Sequence, residues 1–72
     1  MALNEKKITL VYDFLTHRCD GPVTSFVILE RACEVSHRGF AWDRGDKVEV
    51  TPEEVANACC NALHDYHDIV IE

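Results

Sequence analysis

The chain has 72 residues, 47% of them hydrophobic, with 7 basic and 13 acidic side chains and a net charge of −6. A domain of this length buries only about 60% of the surface its unfolded chain exposes, so it supports one core with a thin margin. The composition is globular and not disordered, and the longest aliphatic or aromatic run, residues 26–29, is far too short to span a membrane.

The charged start is followed by no apolar stretch of signal-peptide length, which predicts a soluble, cytoplasmic protein. Cysteines stand at positions 19, 33, 59 and 60, an irregular spacing with one adjacent pair. In that compartment it predicts reduced thiols rather than a disulfide framework. Residues 1–38 carry five basic and five acidic side chains, whereas residues 39–72 carry two basic against eight acidic ones. The acidic half would repel a phosphate backbone, which argues against direct nucleic-acid binding.

The first predicted element is a strand over residues 7–15. Ile8, Leu10, Tyr12 and Phe14 alternate with Thr9, Val11, Asp13 and Leu15, and β-branched and aromatic residues suit a pleated surface. Asp20-Gly21-Pro22 breaks the chain after it. Residues 23–38 then read as a helix. Phe26, Ile28, Leu29, Ala32, Cys33 and Val35 occupy about half of a helical wheel opposite Glu30, Arg31 and Glu34. Its end is marked by His37 and Arg38, which favour the negative pole, and by Gly39, which suits a left-handed cap. A competing reading makes residues 23–35 a second strand.

Residues 40–43 and 47–50 read as a β-hairpin turning through Arg44-Gly45-Asp46, with Phe40 and Trp42 sharing a face with Val48 and Val50. The tripeptide at the turn spells a cell-adhesion motif, but without a secretion signal it reads simply as a turn. A helix follows over residues 51–67. Thr51 is a good N-cap, Pro52 stands where no N–H is needed, and Glu54 completes a capping box. Val55, Cys59, Ala62, Leu63 and Tyr66 form its apolar stripe. Residues 69–71 read as a final short strand. The order β-α-β-β-α-β predicts an α+β, compact ferredoxin-like sandwich, with a four-stranded antiparallel sheet in the order 4-1-3-2 and two helices on one face.

No catalytic or cofactor motif is present, so neither an enzyme nor a cofactor is expected. Cys60, His64 and His67 recur at helical spacing, which suits a transition metal only with a fourth ligand from elsewhere. His17, Cys19 and Asp20 offer one thiol and no ligand pair. Sheet-borne RNA recognition needs stacking aromatics, and the strand Lys47-Val48-Glu49-Val50 has none.

What remains is acidic surface. Asp43, Asp46 and Glu49 on the hairpin, with Glu53, Glu54, Asp65 and Asp68 along the outer side of the last helix and its end, predict a docking face for a basic groove on another protein. The expected function is a non-catalytic protein-binding module, an inhibitor or regulator, with a small transition-metal-binding domain using Cys60, His64 and His67 as the alternative. A second surface is the outer sheet face of Thr9, Val11, Asp13, Leu15, Ala41 and Val70, apolar enough to pair with another copy as a homodimer.

Overall fold

The computed structural model describes residues 4–17 and 23–66. Five elements follow in the order α-α-β-β-α: α1 (Glu5–Leu15), α2 (Ser25–Arg38), β1 (Phe40–Asp43), β2 (Asp46–Glu49) and α3 (Pro52–Asp65). The expected ferredoxin-like sheet is overturned. Among the described residues the strands form a single two-stranded hairpin, and the expected last strand, residues 69–71, lies outside them.

The decisive difference is the first element, a helix and not a strand. Six of the eight residues from 8 to 15 are apolar, so the segment satisfies period 2 and period 3.6 at once. Its start settles the choice. Asn4 has extended backbone, and its side-chain oxygen accepts from the N–H groups of Lys6 and Lys7 at 3.0 and 3.2 Å, satisfying two donors that a helix start leaves open. Helical spacing turns Val11 and Leu15 fully into the core, with Ile8 and Tyr12 packed beside them. With no central strand, there is nothing for the hairpin to extend. The sheet face expected to carry Val11 and Leu15 to a second copy does not form.

α2 starts two residues later than expected, where the Thr24 side chain accepts from Val27 N–H at 3.2 Å. It ends at Gly39, whose φ of 88° is left-handed and whose N–H donates to Val35 at 2.7 Å. This helix excludes the competing strand over residues 23–35. Its buried stripe is narrower than the sequence suggested: Ile28, Ala32 and Val35 are buried, but Phe26 is 71% exposed.

The hairpin turns through two residues, not three. Arg44 and Gly45 both have positive φ, 54° and 89°, the mirror-image turn whose twist matches the flanking strands. Asp46 therefore pairs with Asp43, Lys47 with Trp42, Val48 with Ala41 and Glu49 with Phe40. Dropping one loop residue flips the facing set. Ala41 and Val50 turn inward and are buried, while Phe40 and Trp42 share the outer face with Lys47 and Glu49 instead of Val48 and Val50.

The capping box of α3 forms as read: Thr51 Oγ1 accepts from Glu54 N–H at 3.2 Å, and Glu54 accepts from Thr51 N–H at 2.9 Å. The inner face of α3 carries Val55, Ala58 and Ala62. The two fully buried alanines are small enough for α3 to pack against both α1 and α2. The end of α1 has no basic residue of its own. Arg31 of α2 supplies one, its Nη1 donating to the carbonyls of Leu15 at 3.2 Å and His17 at 2.6 Å. Among the described residues no helix is long and apolar enough to cross a membrane.

Candidate functional site

Once residues 5–15 are helical, Glu5, Thr9 and Asp13 fall at i, i+4 and i+8 on one face, flanked by Lys6 and Leu10. Asp43, at the end of β1, faces the same space. Together these residues line an open groove of about 470 Å³ between α1 and the hairpin. Glu5, Asp13 and Asp43 are all exposed, and among the described residues none forms an ion pair. Three carboxylates from two elements thus face one ammonium, that of Lys6. The groove can attract and orient a cationic group. It offers no nucleophile paired with a base.

The acidic residues singled out in the sequence do not form one face. Asp43 and Asp46 are cross-strand partners flanking the turn, both exposed. Glu49 is exposed on the outer hairpin face, and Glu53 is exposed in the first turn of α3. Asp65 lies twelve residues further on, about 18 Å along the helix axis from Glu53. Asp68 lies outside the described residues.

Glu54 is 5% exposed and faces inward. Besides closing its own capping box, it accepts from Asn4 N–H at 3.3 Å. Glu5 and Asp13, which join Asp43 in the groove, were missed because a strand would have placed them without a common groove. The i, i+4, i+8 spacing was the signal that would have found them.

Asp65 is held from α1. The Tyr12 hydroxyl donates to its Oδ2 at 2.6 Å, and His64 Nδ1 lies 3.4 Å from Oδ1. The hydrogen bond to Asp65, followed by partial desolvation and the Asp65 charge, pushes the Tyr12 phenol up to about 12. The Tyr12 bond and then His64 hold Asp65 below the usual carboxylate range. The signs follow from linkage. The Tyr12 contribution is complete below its ordinary value of 10.0 and is lost as pH rises toward about 12. The Asp65 contribution is present above its ordinary 3.8 and is lost as pH falls through its lowered value. In Asp65→Ala, an absorbance titration of tyrosinate is expected to show Tyr12 returning toward 10.0. An unchanged titration curve would refute the coupling.

Cys33, Cys59 and Cys60 are free thiols. Burial first, then the neighbouring Cys60 and Cys33, raises the Cys59 thiol, so it is a poor nucleophile at neutral pH. Cys60 and His64 lie one turn apart on exposed positions of α3. His67, the third member of that set, and Cys19 and Asp20 lie outside the described residues. Among the described residues, no group of three His, Cys, Asp or Glu side chains is arranged to hold a metal ion. Comparison with protein-family models, curated proteins and solved structures finds no match to this chain.

Proposed function

We propose that this chain is a non-catalytic protein-binding module that receives a basic segment of another protein in the groove of Glu5, Asp13 and Asp43, inhibiting or regulating the partner by covering that segment. The supporting observation is the convergence of three carboxylates from α1 and β1 on one groove, without ion pairs among the described residues. Such an array steers a cationic partner and sets its register.

Asp46, across the turn from Asp43, extends the same charge to the hairpin tip. A nucleic acid is a poor occupant because its phosphates meet like charge. A second copy would bring another net −6 to the contact, so a basic heterologous partner fits better than a homodimer.

The test is affinity capture from the source cells, comparing the wild type with an Asp13→Lys/Asp43→Lys variant. Both positions are exposed, so the fold is expected to persist. Capture should weaken steeply between low and physiological salt and should be lost in the variant. Equal capture by both proteins would refute the groove as the docking site.

A further inference from the structure

The basic residues are fewer than the acidic ones, yet three of them meet in one place. Lys7 of α1, Arg38 at the end of α2 and Lys47 of β2 line a cleft of about 300 Å³, together with Phe40, Glu49 and Thr51. The cleft lies on the outer hairpin face. Arg38 Cζ and Lys47 Nζ stand 4.8 and 4.6 Å from the centre of the Phe40 ring. Arg38 Nε donates to the Phe40 carbonyl at 3.1 Å. Among the described residues no ion pair neutralises Lys7, Arg38 or Lys47, although Glu49 lines the same cleft.

Lys7, Arg38 and Lys47 come from three elements to line one cleft, and the ring and the carbonyl hold the guanidinium in place. An anion bound there would meet all three cations. The guanidinium is anchored through Nε and stacked, so its terminal nitrogens are fixed in advance, which lowers the ordering cost of binding. An Arg fork beside lysine point charges matches a tetrahedral, doubly charged oxyanion better than a single carboxylate.

Size and surroundings limit the rest of the ligand. The volume is at the small end of ligand pockets, about 300–1,000 Å³. Beyond the cleft lie Asp43 and Asp46 at the hairpin tip and Glu53 on α3, all exposed, which disfavour an extended polyanion. We propose that the cleft of Lys7, Arg38, Phe40 and Lys47 binds a small phosphate-bearing anion, a phosphomonoester or free phosphate. This site is independent of the acidic groove.

The test is a titration of the full chain with inorganic phosphate and with ribose 5-phosphate, followed by amide chemical shifts at constant ionic strength against chloride. Saturable shifts confined to residues 7, 38–40 and 47–51 are expected. Stronger binding of ribose 5-phosphate identifies a phosphomonoester, and equal binding identifies free phosphate.

Lys47→Gln, at an exposed position, should weaken binding about tenfold, and Lys7→Gln/Lys47→Gln about a hundredfold, one charge-assisted contact being lost per lysine. Shifts that fail to saturate, an affinity unchanged in both variants, or tighter binding of a short DNA duplex than of ribose 5-phosphate would each overturn the assignment.

Discussion

Glu54→Ala is expected to lower the unfolding free energy by about 3 kcal/mol, from the loss of two hydrogen bonds to a buried carboxylate. For a 72-residue domain with a total stability of about 4–11 kcal/mol, that is a large fraction. The side chain is 5% exposed and accepts from two backbone donors, Thr51 N–H at 2.9 Å and Asn4 N–H at 3.3 Å. Alanine supplies neither acceptor, and it also removes a negative charge from the positive poles of α3 and α1. Glu54→Gln keeps an acceptor oxygen and is expected to recover more than half of the loss. Urea unfolding gives the reading: the midpoint should fall with little change in slope. A midpoint equal to wild type would show that the carboxylate contributes nothing to the fold.

Leu15→Ala is expected to cost about 2–5 kcal/mol, the range for removing a large aliphatic side chain from a closed core. Leu15 has no exposed surface and belongs to the same cluster as Val11, Ile28 and Ala62. The turn that carries it is also gripped by Arg31, whose Nη1 donates to the Leu15 carbonyl. The loss should therefore be non-additive with Arg31→Ala, because both changes release the same end of α1. Leu15→Met, which conserves volume, should cost less than about 1.5 kcal/mol. Thermal or urea unfolding of the two single variants and the pair measures both effects. A stability of Leu15→Ala within about 0.5 kcal/mol of wild type would contradict the packing described.

The elements differ in how plainly the sequence announces them. α2 and α3 carry local punctuation that no tertiary contact is needed to read: Gly39 after His37-Arg38, and Thr51-Pro52-Glu53-Glu54 before an apolar stripe. Residues 5–15 carry apolar residues at both periods, and the arbiter was the modest cap at Asn4, outside the apolar run. The apolar run itself, residues 8–15, already exceeds the typical strand length of about 5–6 residues.

A strand over residues 7–15 would set Val11 and Leu15 on an outer sheet face, whereas they are among the most buried side chains. Only the helix gives Glu5 and Asp13 a shared face. At the hairpin, the choice between a two- and a three-residue turn depends on Arg44 adopting positive φ, which a non-glycine residue seldom does. At Glu54 the local capping box was legible. Its burial was not, because the second donor comes from Asn4, fifty positions away.

α1 is fastened at both ends by residues that follow it in the chain: Glu54 accepts from Asn4 at its start, and Arg31 donates to Leu15 and His17 at its end. An eleven-residue helix is marginal by itself in water. During synthesis, then, α1 is made before either of the residues that fasten it. Translation must run through Arg31 and on to Glu54 before both anchors exist, and a nascent chain halted at Gly39 carries the first without the second.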